Sequence, residues 1–194
     1  MRVVLGVSGA SGAALALACA RHLRALGAAI DLVVSPAAER TLAAEIGPGA
    51  LAELRALATT VHPISDVGAV IASGSCPVAG MIVAPCSMRS LAAIALGLDD
   101  NLLTRAASVQ IKERRTLVLL ARESPLTLAH LRAMTQATEM GAIIAPPVPA
   151  FYLRPASLAE VVDQIAARAV DLLRLAPPVA RAWGPPAPPS PDRA

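Results

Sequence analysis

Val3-Val4-Leu5-Gly6-Val7-Ser8-Gly9-Ala10-Ser11-Gly12 (residues 3–12) passes from an apolar run into a loop of small residues. The change recurs where Met81-Ile82-Val83-Ala84 leads into Pro85-Cys86-Ser87-Met88-Arg89. Runs that are apolar on both faces read as strands of a parallel sheet covered by helices on both sides. Loops leaving the carboxyl ends of such strands are where open α/β sheets bind ligands. Small residues let backbone N–H groups approach an anion, and the helix that follows adds its positive end. The two loops together point to a nucleotide or a phosphorylated cofactor.

The rest of the chain alternates in the same way. Strands are expected at 2–7, 30–34, 80–85, 116–121 and 141–145, with a short one at 61–64. Helices are expected at 12–26, stopped by Gly27, and after Ser35-Pro36, a cap followed by a proline at the first helical position. Further helices are expected near 50–58, from Ser87, over 101–113, from Ser124-Pro125 to about Glu139, and over 157–175 behind Ser157. The fold class is α/β. Residues 1–175 are expected to form one domain, and 176–194 a tail that holds seven of the 17 prolines and should be extended.

Composition narrows the function. Hydrophobic residues make up 55% of the 194 but aromatic residues only 2%, so the core is Ala, Leu, Val and Ile. A surface of such small residues is often completed by other subunits, which favours an oligomer. The net charge of +3 comes without a basic run interleaved with aromatics, so nucleic acid is not the expected partner. The longest uncharged stretch, Val67 to Met88, is broken by glycines and prolines and does not read as a membrane span. No signal peptide is visible, and Cys19, Cys76 and Cys86 form neither a metal-spaced set nor an even disulfide framework. A reduced, cytoplasmic setting and no metal are expected.

The first loop is not a dinucleotide fingerprint, because Gly6, Gly9 and Gly12 are spaced three and three. No Gly-Lys-Ser/Thr is present, so the ATP phosphate loop is absent as well. What remains suits a monophosphate or a polar ring system, or is simply a tight turn with packing glycines. Of 17 basic residues only Lys112 is a lysine, and Arg105 stands two helical turns before it. Arg122-Glu123 ends a strand on the same rim as the two loops. Tyr152, the one tyrosine, follows the stiff Pro146-Pro147-Val148-Pro149-Ala150, which should wrap over something. Arg168 lies among alanines in the last helix and wants an anionic partner. Glu45 would ordinarily be a surface acid. His22, His62 and His130 read as structural or surface residues.

The ordered segments Gly9-Ala10-Ser11-Gly12, Val34-Ser35, Ser73-Gly74-Ser75, Gly80 through Ser90, Lys112-Glu113, Arg122-Glu123-Ser124-Pro125-Leu126 and Pro146 through Tyr152 resemble the UbiX-type flavin prenyltransferases over residues 2–183. The resemblance implies a three-layer αβα fold with a mostly parallel Rossmann/flavodoxin-like sheet. It also implies a homododecamer with sites between subunits. The implied activity joins a dimethylallyl group from dimethylallyl phosphate to N5 and C6 of reduced FMN, without a metal. The prenylated FMN then serves a UbiD-type decarboxylase. Gly9, Ala10, Ser11, Ser35, Ser87, Met88, Arg89, Ser90 and Arg122 are the implied FMN contacts. Tyr152, Arg168, Lys112, Arg105 and Glu123 are the implied substrate-binding set. Glu123, Ser11 and Glu45 are the implied proton-transfer residues, and Trp183 is placed to close the site. Cys76 stands where the family often has an aromatic, and Arg89-Ser90 replaces Lys-Thr. Two other readings remain: a flavin-dependent decarboxylase of cysteine-derived carboxylates, or an FMN-binding protein without chemistry of its own.

Overall fold

The structure, a computed structural model, describes residues 1–184. Strands β1 (Arg2–Val7), β2 (Ala29–Val34), β3 (Thr60–His62), β4 (Gly80–Cys86), β5 (Thr116–Ala121) and β6 (Ile143–Ile144) form one sheet in the order β3-β2-β1-β4-β5-β6. Every described pairing is parallel. Helices α1 (Ala14–Ala25), α2 (Pro36–Glu45), α3 (Ala50–Leu57), α4 (Met88–Leu96), α5 (Leu102–Lys112), α6 (Leu128–Glu139) and α7 (Leu158–Asp171) connect and cover it. This is the expected three-layer α/β architecture, with a doubly wound order that reverses between β1 and β4.

The two-sided burial follows from strand alternation. Val3, Leu5 and Val7 of β1 join α1, α7, Ile30, Leu32, Ile82 and Leu120 in one core. Val4 faces the other way, with Val33, Met81, Val83, Leu117 and the inner faces of α4 and α5. Gly6 also lies on that second face, where a Cβ would come 3.1 Å from Met81 Cε and 3.2 Å from Leu103 Cγ. The lack of aromatics is thus matched by close helix-on-sheet packing.

Three boundaries differ from the sequence reading. Helix α6 does not start at Ser124-Pro125, which forms a turn with a cis peptide bond. Its cap is Thr127, whose hydroxyl accepts from His130 N while His130 Nδ1 accepts from Thr127 N, both at 3.2 Å. That reciprocal box satisfies the first helical donors three residues later than expected. Helix α7 ends at Asp171 rather than near 175, because Arg174 turns left-handed at φ 56°. Strand β6 keeps only Ile143 and Ile144 of the expected 141–145: Gly141 sits at φ 99°, and Pro146 lacks the donor that would extend the ladder. Residues 176–184 of the tail hold no helix or strand, and the expectation for 185–194 lies outside the described residues.

Candidate functional site

The two loops picked out from sequence are the two that flank the reversal of strand order. Ser8 joins them. Its hydroxyl donates to Pro85 O at 2.9 Å and accepts from Ser87 N at 2.7 Å, and Ser8 N donates to Pro85 O at 3.2 Å. The residue is only 1% exposed, so these bonds are made away from water and are costly to lose. Gly9 is required beside it, since a Cβ there would lie 2.3 Å from Ala37 Cβ in the first turn of α2.

Three helices begin around the cavity so formed. Ser35 caps α2 by accepting from Ala38 N at 3.1 Å. Ser87 caps α4 by accepting from Ser90 N at 3.3 Å. Asn101 caps α5 by accepting from Thr104 N at 3.1 Å. The cavity, about 430 Å³, is lined by Gly9, Ser35, Ser87, Arg89, Ser90 and Asn101 among others. Three positive helix ends, four polar side chains and one guanidinium make it an anion site by construction. Arg89 pairs with the exposed Asp100, and this guanidinium holds the Asp100 carboxyl below its usual range. An exposed pair of this kind is worth little, so Arg89 is free to take an incoming anion.

The fourth helix end on this rim is already filled. Glu45 Oε2 accepts from Gly12 N at 2.9 Å and Ala13 N at 2.8 Å, at the start of α1. Burial alone would raise the Glu45 carboxyl. The two backbone N–H groups, the Ser11 hydroxyl and nearby Arg122 outweigh it and hold the group low. Glu45 is therefore no idle surface acid: it anchors the first loop, with Ser11 and Arg122 beside it. The neighbouring Cys86 thiol is pushed up to about 12 by burial and is no nucleophile.

A second cavity, about 460 Å³, lies beside β5 and β6 and runs along α7, from Leu120 and Ala145 to Asp171 and Leu172. Its walls include Pro146, Val148, Tyr152, Arg168 and Trp183. From the proline-rich stretch, Pro146, Val148 and Ala150 line this cavity. The Tyr152 and Trp183 rings meet edge to face, with centroids 5.2 Å apart and planes at 87°. Glu123 lies at the exposed end of β5, its Oε1 accepting from Ser124 N at 3.0 Å.

The structure thus brings Gly9, Ser35, Ser87, Arg89 and Ser90 around one cavity, and Tyr152, Arg168 and Trp183 around another. Ala10 and Met88 are buried, Met88 in the core, and neither lines the cavity. Lys112 and Arg105 stand apart. Arg105 donates to Ala72 O at 3.2 Å and pairs with Asp99 at 3.0 Å, and Lys112 pairs with Glu113. Lys112 ends α5, near the amino ends of the strands. Both side chains share one face, as their spacing predicts, and that face carries the 72–76 segment. Arg115, which sequence reading passed over, donates to Gly74 O at 2.6 Å and Cys76 O at 2.8 Å. A Cβ on Gly74 would sit 2.0 Å from Glu113 Oε1. Ser8 and Asn101 were missed too. A buried serine inside the loop and an asparagine before a helical run were the available signals.

All three histidines hold the fold. His62 Nε2 and Asp31 Oδ1 are 2.8 Å apart in the interior, and His22 pairs with Asp163 at 2.8 Å. Among the described residues no three His, Cys, Asp or Glu side chains cluster to hold a metal, and no helix is long and apolar enough to cross a membrane.

Comparison with known proteins agrees with this geometry. Residues 1–170 match the flavoprotein family. The chain is 52% identical over 171 residues to the flavin prenyltransferase UbiX of Thauera aromatica, covering 88% of each protein. It resembles the crystal structure of AnUbiX in complex with FMN and dimethylallyl pyrophosphate, at a TM-score of 0.90 and 44% identity, over 95% of this chain and 97% of that one. It also resembles a dodecameric FMN-dependent UbiX-like decarboxylase from Escherichia coli, at a TM-score of 0.90 and 40% identity, over 95% and 100%.

Proposed function

The chain belongs to the flavoprotein family and, within it, to the UbiX-type flavin prenyltransferases, and we propose that it joins a dimethylallyl group from dimethylallyl phosphate to N5 and C6 of reduced FMN, making prenylated FMN for a UbiD-type decarboxylase. The observation that carries this reading is the meeting of three capped helix N-termini and Arg89 on one cavity at the strand-order reversal. Its size and its donor set fit a flavin mononucleotide whose phosphate takes the N–H groups behind Ser35, Ser87 and Asn101. The reading keeps residues 1–175 as the flavin-binding domain and 176–194 as a tail, of which Pro178 and residues 180–183 line the second cavity.

Reduced FMN supplies the nucleophile, so the flavin is itself a substrate. The chain's own residues do the rest. Gly9, Ala10, Ser11, Met88 and Arg122 line the approach to the ring, and Ser35, Ser87, Arg89 and Ser90 hold the phosphate end. Tyr152 and Arg168 bind the phosphate of the donor and stabilise its charge as the allylic C–O bond breaks. Glu123, just past the end of β5, takes the proton from the ring-closing carbon and passes one to the departing phosphate. Glu45 is held ionised, which suits it to orient Ser11 and relay a proton near the ring rather than to act as a strong base.

Lys112 and Arg105 line neither cavity of this chain, and in this reading they serve the site of a neighbouring copy. The reading therefore includes a homo-oligomer, a dodecamer as in the Escherichia coli protein. Three unpaired, buried cysteines suit a cytoplasmic enzyme. The test is to incubate the protein with reduced FMN and dimethylallyl phosphate and to weigh the flavin. A flavin heavier by one five-carbon unit is expected. Unchanged FMN means a carrier, and carbon dioxide released from a cysteine-derived carboxylate means a decarboxylase.

A further inference from the structure

Helix α7 places Gln164, Arg168 and Asp171 on one stripe, at spacings of four and three. The outer two are committed to the chain beyond the helix. The Asp171 carboxylate accepts from Val179 N through Oδ1 at 2.9 Å and from Ala180 N through Oδ2 at 3.0 Å. Gln164 makes a reciprocal pair with Arg181: its Nε2 donates to Arg181 O at 3.0 Å, and its Oε1 accepts from Arg181 N at 3.1 Å. Four hydrogen bonds thus pin three consecutive residues of a segment that has no secondary structure of its own. Two residues later Trp183 meets Tyr152 edge to face, although 76% of the tryptophan is exposed. An aromatic pair at such an exposed site is too weak to order a coil by itself.

The same arrangement has an electrostatic consequence. Asp171 lies one turn from Arg168 and would be its natural partner. Both Asp171 oxygens are turned onto backbone N–H groups instead, and Arg168 forms no ion pair among the described residues. The guanidinium is left facing the cavity it shares with Tyr152 and Trp183.

We propose that Gln164 and Asp171 form a latch that docks residues 179–181 on α7, seating Trp183 against Tyr152 and leaving Arg168 unpaired for the phosphate of the donor. Both are positioning residues: neither touches the reacting atoms. The proposal rests on reading this cavity as the donor site.

The chain contains one tyrosine and one tryptophan, so the latch has its own optical signal. With the rings 5.2 Å apart, excited Tyr152 passes its energy to Trp183 and emits almost nothing. Three variants of the full chain test the idea: Asp171→Asn, Gln164→Ala and Ala180→Pro. The last removes one latch donor from an unstructured segment and leaves α7 intact. In each, tyrosine emission should appear, and the KM for dimethylallyl phosphate should rise about tenfold, the loss of one charge-assisted bond. FMN affinity should stay at the wild-type value. Silent tyrosine emission in all three overturns the latch. Tyrosine emission with an unchanged KM overturns its role at the donor site. Loss of FMN binding in the wild-type protein, or an unmodified flavin, would instead sink the prenyltransferase reading, so the two failures are told apart.

Discussion

The rim between β1 and β4 and the roof over α7 each hold a ligand-sized cavity, yet they are built by opposite means. The rim is made of backbone and buried hydroxyls, with Ser8 tying two loops and three caps fixing three helix starts. The roof is made of exposed side chains on irregular backbone, with Tyr152 48% and Trp183 76% exposed, held by polar bonds from α7. Rigid backbone suits a large, fixed ring system that must sit in one place. A roof held by a few polar bonds suits a small ester that enters and a phosphate that leaves.

Glu123 follows β5, the strand between β4 and β6, and should give the largest effect. Glu123→Gln keeps the shape and removes the proton carrier proposed above, so FMN should still bind while product formation slows by about 10²–10⁴-fold. Single-turnover flavin conversion checks this, and a wild-type rate would remove Glu123 from the chemistry. The next effect belongs to the rim alone. Gly9→Val drives a side chain into Ala37, and FMN affinity should fall about a hundredfold. Titration that returned the wild-type affinity would show that the flavin does not need this close approach.

Ser8→Ala leaves Ser87 N without its buried partner and should lower stability by about 1–3 kcal/mol, read from the urea midpoint. A substitution on the roof, such as Trp183→Ala, should leave that midpoint where it is, which sharpens the contrast between the two regions.

The smallest effect is one of pH. Glu45 has a folded-state pKa below its ordinary value of 4.5, so its contribution is fully present above 4.5 and is lost as pH falls through the lower folded value. Thermal stability should be flat from pH 7 to about 5 and then drop more in the wild type than in Glu45→Gln. Identical acid limbs would mean that the carboxylate does not anchor the first loop.

Much of the rim was legible in the chain because its signals are local. Val3 to Val7 and Met81 to Ala84 are apolar whichever way they face, and Ser35-Pro36 announces a helix start by its own chemistry. The start of α6 misled, because the reciprocal Thr127–His130 box is visible only once both side chains are oriented, whereas Ser-Pro is a strong signal wherever it stands. Glu45 looked like any acid at the end of a surface helix. Its value comes from Gly12 and Ala13, more than thirty residues earlier, and no local pattern reports a contact of that separation.

By itself the sequence determined the α/β class, the strands and most helix starts, and the two loops where a phosphorylated ring was to be expected, since each depends on side chains next to one another. The tertiary structure decided the order of strands that puts those loops side by side, the hydroxyl of Ser8 that joins them, and the parting of Lys112 and Arg105 from Tyr152 and Arg168. Those outcomes depend on which distant surfaces bury each other, a free energy summed over the whole core that no single stretch of chain carries.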